Sequence, residues 1–172
     1  MIFETNRLSI IEAKPEDIPY ITELENHEEN RHFVWQGSTA EHLAEIRDIH
    51  QILALVHDKE TQEAVGYILV RLHPDSKQLE LRRIVIDHKG QGYGKEILLA
   101  MMGYTFDVKQ YHKFWLDVYP TNTIGIRLYE NLYMHKDGIL RDNYFNGEVY
   151  LDQIIYSILA PEWEALKAKE RQ

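Results

Sequence analysis

The chain has 172 residues, 44% of them hydrophobic and 27% charged, and its formal net charge is −9 at pH 7. These values predict one globular domain spanning residues 1–172, and the negative charge disfavours a nucleic-acid partner, which would select a basic face. The absence of cysteine excludes disulfides, thiolate metal sites and a cysteine nucleophile. Neither a membrane-spanning stretch nor a signal peptide is recognisable, so we predict a cytoplasmic protein without a membrane partner.

The first half of the chain predicts a strand, two helices and three further strands. Alternation in "RLSIIEA" indicates the first strand, and Pro15 suits the first turn of a helix that runs to about Asn26. Ser38 and Glu41 have the spacing of a capping box at the start of the second helix. Three strands joined by short turns then follow, in "ILALVHD", "EAVGYILVRLH" and "KQLELRRIVID".

The second half alternates helices and strands before a closing hairpin. A helix from about Gly92 to Val108 precedes the strand "KFWLDVY" and a short helix in "TNTIGIRLYENLY". Strands in "GILRD" and "EVYLDQIIYSIL" flank a turn at "NG", and "APEWEALKAKE" predicts a terminal helix. Antiparallel hairpins with helices between them predict an α/β (α+β) fold, in which a mixed, mostly antiparallel, twisted sheet carries helices on both faces.

A loop with glycine at every second position, Gly90, Gly92 and Gly94, lies between the third of those strands and the next helix. Such a loop lets backbone N–H groups and the positive end of the helix dipole converge on an anion, usually a phosphate. The spacing does not fit the P-loop, and in the dinucleotide fingerprint the third glycine would fall on Lys95 or Ile97. The loop therefore predicts a site for another phosphate compound.

The sequence around this loop resembles the GNAT acetyltransferases. "KGQGYG" is similar to their Arg/Gln-x-x-Gly-x-Gly/Ala signature, which holds the pyrophosphate of acetyl-coenzyme A. "LRRIVI" resembles their fourth strand, "WLDVYPTNTIGIRLYENLY" their fifth strand and following helix, and "GILRDNYFNGEVYLDQIIYSIL" the closing hairpin of the ribosomal-protein N-terminal and polyamine-acetylating branches. The resemblance, over residues 79–158, implies an acetyl-CoA-dependent N-acetyltransferase acting on a primary amine by direct attack in a ternary complex, since no cysteine exists for an acetyl-enzyme.

The resemblance also implies the site residues. Main-chain groups of Ile84, Val85 and Ile86 would pair with the pantetheine arm. Pyrophosphate would be held by the loop residues and their neighbours, namely Lys89, Gly90, Gln91, Gly92, Tyr93, Gly94 and Lys95. Asn122 would contact the pantetheine, and Tyr129 would lie beside the sulfur, where it can reprotonate the thiolate. Glu80 takes the place where many members keep a general base.

Periodicity adds expectations about where these side chains point. Alternation places Glu80 on the strand face that also carries Arg82, Ile84 and Ile86. A strand glutamate usually faces solvent, so Asp117 and Tyr119 on the next strand are reserve candidates. On the short helix, Asn122, Gly125, Ile126 and Tyr129 share one face, and Ile124, Leu128 and Leu132 form an opposite, core-facing stripe.

The chain departs from the family pattern at three positions near the proposed site. Lys89 stands in place of arginine or glutamine, and Gly125 in place of a common alanine. Tyr133 stands where a glycine usually supplies the left-handed helix cap, so this position predicts a different helix ending or local strain.

Four glutamates, Glu23, Glu25, Glu28 and Glu29, crowd the end of the first helix, which borders the acceptor site in the family. They could attract a cationic amine, but a solvated helix face is the simpler interpretation, and we adopt it. The overlapping "HEENRH" lacks the spacing of a zinc protease motif because position 31 is arginine, and we predict no metal site.

The identity of the acetyl acceptor stays open. A small-molecule amine such as a polyamine, an amino sugar or an antibiotic amine would fit, and so would a protein N-terminus. The closing hairpin offers a surface for a homodimer. Two other classes of function remain: a coenzyme A-binding sensor or partner-binding module without catalysis, and a nucleotide-binding protein.

Overall fold

The computed structural model describes residues 1–170, which contain eight strands and five helices. The strands are β1 (Phe3–Glu4), β2 (Leu8–Glu12), β3 (Gln51–Asp58), β4 (Ala64–His73), β5 (Gln78–Ile86), β6 (Lys113–Val118), β7 (His135–Phe145) and β8 (Tyr150–Leu159). The helices are α1 (Ile18–Asn26), α2 (Thr39–Arg47), α3 (Tyr93–Gly103), α4 (Thr123–Asn131) and α5 (Ala160–Glu170). A π turn, Tyr104–Val108, continues α3. The predicted order is confirmed, with β1 added and β7 longer than expected.

The strands form one sheet in the order β1-β2-β3-β4-β5-β6-β8-β7. All neighbours are antiparallel except β5 and β6, which run parallel. Their pairing starts at Gln78 opposite Lys113 and ends at Leu81 opposite Leu116. The two strands therefore separate beyond Leu81, and the edge of β5 that faces β6 is open from there onward.

A bulge at Arg82 changes the side-chain alternation of β5. Leu81 lies opposite Val70 and Arg83 opposite Leu69, so that Arg82 is an extra residue without a partner on β4. Because an extra residue reverses the alternation, Glu80 lies on the same face as Arg83, not on that of Ile84 or Ile86. The prediction that Glu80, Arg82, Ile84 and Ile86 share a face is wrong for this reason.

Helices cover both faces of the sheet, as predicted. On β4, Ile68 and Val70 belong to a large buried cluster that includes Ile97, Leu98, Met101 and Met102 of α3. The alternate residues Tyr67 and Leu69 belong to a smaller cluster with Ile21 and Leu24 of α1. No helix within residues 1–170 is both long and apolar enough to cross a membrane.

Candidate active site

The glycine loop presents unpaired backbone donors at the start of α3. Gly90 and Gly92 adopt φ values of +79° and +77°, in the left-handed region that costs other residues about 1–2 kcal/mol. Within the described chain, the backbone N–H groups of residues 90–95 donate to no protein acceptor, whereas the Glu96 N–H donates to the Gly92 oxygen at 3.2 Å. These free donors and the helix dipole have the geometry that an anion site requires, and the anion site itself stays a prediction.

Arg7, which sequence reasoning missed, holds this loop from the β1–β2 turn. One guanidinium nitrogen donates to the Gln91 oxygen at 3.0 Å, and another pairs with a Glu96 carboxylate oxygen at 2.7 Å. The guanidinium also lies 4.7 Å from the centre of the Tyr93 ring, whose hydroxyl donates to Asp58. Arg7 thus places a guanidinium, paired with the Glu96 carboxylate, beside the free amides. Arg7 lies 84 residues before Gln91 in the sequence, so no local pattern pointed to this contact.

The two lysines of the loop take different positions. The Lys89 ammonium donates to the Asn30 side-chain oxygen at 2.8 Å and lies 3.9 Å from Glu29. It therefore ties the loop to the segment that follows α1. Lys95 is exposed on the first turn of α3, so of the two it is the one whose ammonium is available to a phosphate.

A cleft of about 660 Å³ opens where β5 and β6 separate. It brings together four of the predicted residues, Glu80, Ile84, Asn122 and Tyr129, together with the two reserves Asp117 and Tyr119. One side of it, the α2 wall, consists of residues 33–35 and of Glu41, Ala44, Glu45 and Asp48 on α2 and its C-terminal end. The predicted loop residues 89–95 do not line this cleft; they lie at the N-terminus of α3.

Tyr129 is buried on α4, with 7% of its surface exposed. Burial, followed by the nearby charge of Asp117, raises the pKa of its hydroxyl well above the ordinary value. The hydroxyl is therefore protonated at neutral pH. A proton donor must carry its proton in the resting state, and Tyr129 in the cleft lining meets that requirement.

Two carboxylates line the cleft on neighbouring strands. One Glu80 oxygen is 3.0 Å from the His73 Nε2, and the other is 3.8 Å from the Arg82 Nε. The Asp117 carboxylate accepts a hydrogen bond from the Gln153 amide at 2.6 Å. Burial raises the pKa of Asp117 against the effect of that hydrogen bond, and the charge of Glu80 adds to the increase. Glu80 thus has a partner at each oxygen, His73 and the more distant Arg82, whereas Asp117 has the Gln153 amide at one oxygen.

Asn122 caps α4 instead of pointing freely into the cleft. Its Oδ1 accepts from the Gly125 N–H at 2.9 Å, which leaves the side-chain N–H groups for another partner. A Cβ at Gly125 would lie 2.9 Å from the Asn122 Nδ2. Glycine in place of the family alanine therefore makes room for this cap.

The apolar stripe predicted on α4 is only partly correct. Leu132 is buried, with 4% exposed, and Leu128 packs against the core, but Ile124 is 82% exposed. Burial falls along the stripe towards the N-terminus, from Leu132 through the half-buried Leu128 to Ile124. The prediction that Ile124 faces the core is wrong.

The end of α4 keeps its usual shape despite the missing glycine. Tyr133 adopts φ of +59°, and the Met134 N–H donates to the Tyr129 oxygen at 3.1 Å, as in a glycine-capped ending. The predicted strain is therefore located at Tyr133, whose side chain is 71% exposed.

The cluster of four glutamates divides into two environments. Glu23, Glu28 and Glu29 are exposed, as a solvated face requires, but Glu25 is completely buried. Its carboxylate pairs with His42 and Arg83, so the interpretation as a solvated face is wrong for Glu25. In residues 1–170, no group of three or more histidine and carboxylate side chains is placed to hold a metal ion.

Comparison with known proteins gives one family match and two relatives, and all three are described as acetyltransferases. A family model described as an acetyltransferase (GNAT) domain matches residues 7–135. The SPbeta prophage-derived uncharacterized N-acetyltransferase YokL of Bacillus subtilis is 34% identical over 77 residues, which cover 45% of this chain and 44% of the relative. The Probable N-acetyltransferase YjcK of the same organism is 31% identical over 77 residues, covering 45% of this chain and 42% of the relative. The matches thus span less than half of these relatives.

Two solved structures share the fold. Spermidine N-acetyltransferase from Vibrio cholerae, in complex with CoA and spermine, has a TM-score of 0.79 at 21% identity, covering 92% of this chain and 98% of that chain. A dodecameric structure of the same enzyme has a TM-score of 0.75 at 21% identity, covering 91% of this chain and 96% of that one. These structures show the fold, and the match of the family model over residues 7–135 leads to one conclusion: the chain belongs to the GNAT acetyltransferase family.

Proposed function

We propose that this protein is an acetyl-CoA-dependent N-acetyltransferase that acts on a primary amine by direct attack in a ternary complex. The observation that carries the proposal is the cleft between β5 and β6, with a protonated Tyr129 and two carboxylates in its lining. No cysteine is present to form an acetyl-enzyme, which supports direct attack with both substrates in this cleft.

The fit of acetyl-CoA rests on two neighbouring features. The free N–H groups of residues 90–95, with the charges of Arg7 and Lys95 nearby, suit the pyrophosphate. The open edge of β5 at Ile84, Val85 and Ile86 has no strand partner on the β6 side and suits an extended pantetheine arm, which would add to the sheet like a strand. The free amide N–H groups of Asn122 suit a pantetheine carbonyl.

The transfer needs two proton movements. The amine nitrogen attacks the acetyl carbon, a C–N bond forms and the C–S bond breaks. Glu80 accepts the proton that the nitrogen loses, and the Tyr129 hydroxyl gives its proton to the departing thiolate. Because an alkyl amine has a pKa of about 10, a base in the cleft is needed at neutral pH. Asp117, with its raised pKa, is the second candidate for that base.

The lining of the cleft favours a cationic acceptor. Carboxylates from three elements, Asp48, Glu80 and Asp117, border the space next to Tyr129, and aromatic rings of Trp35, Trp115 and Tyr119 accompany them. This chemistry suits a polyamine, and it also suits the charged N-terminus of a protein. The cytoplasmic location, the homodimer and the single domain over residues 1–172 stay predictions.

The experiment is a measurement of coenzyme A release from acetyl-CoA with the purified protein and a panel of polyamines, N-terminal peptides, amino sugars and aminoglycosides. We expect release well above the hydrolysis background with one class of amine. Tight binding of acetyl-CoA without release across the panel would favour the non-catalytic module. Preference for ATP or NAD over coenzyme A would favour the nucleotide-binding alternative.

A further inference from the structure

Helix α2 is attached to the rest of the protein mainly through charged side chains. Its buried residues are His42 and Glu45, and Ile46 is its partly buried apolar contact. A helix at a protein surface normally buries an apolar stripe instead. The attachment of α2 therefore depends on electrostatic interactions.

These side chains belong to a buried cluster contributed by four elements. His42 lies with its Nε2 3.1 Å from a Glu25 oxygen of α1 and its Nδ1 2.8 Å from a Glu45 oxygen. Arg83 of β5 is 2.6 Å from the other Glu45 oxygen and 3.4 Å from Glu25. Tyr67 of β4 donates its hydroxyl to Glu25. We call these five residues the α2 clamp.

The geometry favours the charged form of His42. Both ring nitrogens lie within hydrogen-bond distance of carboxylate oxygens, which can only accept. A neutral imidazole would direct one lone pair at a carboxylate. The clamp is therefore neutral as a whole only when His42 is charged: Glu25 and Glu45 contribute two negative charges, and Arg83 and His42 two positive ones.

The clamp directly supports the α2 wall of the cleft. Glu45 and Arg83 line the cleft themselves, and the Arg83 guanidinium lies 4.4 Å from the centre of the Trp35 ring, which also lines it. The segment before α2 is joined to the α2 clamp as well, because the Gly37 N–H donates to Glu25 at 2.8 Å. A Cβ at Gly37 would lie 2.6 Å from the His42 ring, so the ring packs against this backbone.

We propose that His42 is a positioning residue for the acceptor: its charged ring holds the α2 wall against β5, and loss of its proton loosens that wall and weakens acceptor binding. The proposal rests on the proposed function, since the α2 wall is taken as the acceptor side of the cleft. It assigns no role to His42 in the chemical step.

The direction of the pH effect follows from the contacts. Burial alone would lower the pKa of His42, but the hydrogen bonds and charges of Glu25 and Glu45 outweigh it and raise the pKa to about 9. A free histidine has a pKa of about 6.5. The stabilisation is therefore complete below pH 6.5, decreases above it and is lost as pH rises through about 9.

The first test follows hydrogen exchange of the wild-type protein between pH 7 and pH 10, with each rate expressed as a protection factor relative to the unfolded chain. We expect protection of α2, residues 39–47, to fall about tenfold or more, while that of α3 stays constant. Constant protection of α2 up to pH 10, or an equal loss in α3, would overturn the proposal. This test needs no acceptor.

The second test is kinetic and uses three variants at pH 7. H42Q leaves the clamp with one excess negative charge, and we expect the KM for the acceptor to rise about tenfold, with little change in kcat or in the KM for acetyl-CoA. E25Q/H42Q restores neutrality and should recover most of that loss. H112Q replaces an exposed histidine and serves as the control.

The outcomes separate the two proposals. An unchanged acceptor KM in a folded H42Q, or an equal rise in both KM values, would contradict a positioning role. Absence of rescue in E25Q/H42Q would contradict the charge argument. If no acceptor is acetylated by the wild-type protein, the proposed function fails, and the exchange data still decide whether His42 holds α2.

Discussion

The two sides of the cleft are built by different means. On the proposed cofactor side, the donors are backbone N–H groups of adjacent residues, 90–95, at the start of a helix that contributes four buried residues to the large core. On the proposed acceptor side, the α2 wall is held by a buried cluster of charged side chains and one tyrosine from four different elements. A site made of backbone groups needs one local conformation, whereas a site made of buried charges needs positive and negative charges that cancel. We therefore expect substitutions to affect the two sides in different ways.

Removal of the Tyr129 hydroxyl should give the largest loss of activity and should leave both sides of the cleft intact. We expect Y129F to lower kcat about 100-fold or more, because the thiolate then leaves without its proton donor, while the KM values and the affinity for coenzyme A stay within about threefold. Steady-state kinetics and calorimetry would measure these quantities. Y133F, on an exposed tyrosine, is the matched control and should behave as wild type. Full activity of Y129F would remove Tyr129 from the mechanism.

Replacement of the carboxylates should show which strand supplies the base. We expect E80Q to lower kcat/KM about 100-fold at pH 7 and D117N to lower it less than about tenfold, because the proposed mechanism gives the proton of the amine to Glu80 and keeps Asp117 as the second candidate. The pH dependence of kcat/KM in both variants is the measurement. The reverse order would assign the base to Asp117. Small effects in both would mean that neither carboxylate accepts the proton.

Strain in the glycine loop should affect only the cofactor side. In G92A, a left-handed φ of +77° becomes costly, and we expect the Kd for coenzyme A to rise about tenfold with an unchanged acceptor KM. G147A adds the same kind of strain in the β7–β8 turn, where φ is +97°, and should leave the Kd unchanged. Equal effects of both variants on the Kd would indicate a loss of overall stability, not of a local site.

Relief of strain at the end of α4 should have the smallest effect. Y133G allows the left-handed conformation at φ of +59° without a side chain, and we expect a gain in unfolding free energy of about 1 kcal/mol, seen as a rise in Tm of about 2–4 °C. Y133A keeps a Cβ and should gain little. A gain of equal size in Y133A would mean that the exposed ring, not the backbone, is the source of strain.

The sequence predicted the part of the site that depends on local conformation. Alternating glycines predict a backbone that a ligand can approach closely. The order of strands and helices follows from the periodicity of apolar residues within each segment. Asn122 and Tyr129 share a face of α4 and both line the cleft, as their spacing predicted. These features each involve residues within one or two turns of chain, so they leave a local pattern.

The rest depends on residues that are distant in the sequence. Arg7 reaches the loop from a turn more than eighty residues away. Glu25 looks like a surface glutamate until its partners His42 and Arg83 are known, because burial of a charge depends on counter-charges elsewhere. The bulge that displaced Glu80 is visible only in the register between β4 and β5.

The cleft also depends on the one extra residue, Arg82, that this bulge inserts into β5. Deletion of the single codon for Arg82 would leave Leu81 opposite Val70 and Arg83 opposite Leu69, so every side chain that faces a core would keep its neighbour. What the deletion removes is the local bend that bulges give a strand, at the point where β5 and β6 separate. We therefore expect an in-frame deletion of this one codon to narrow the cleft while the fold is kept.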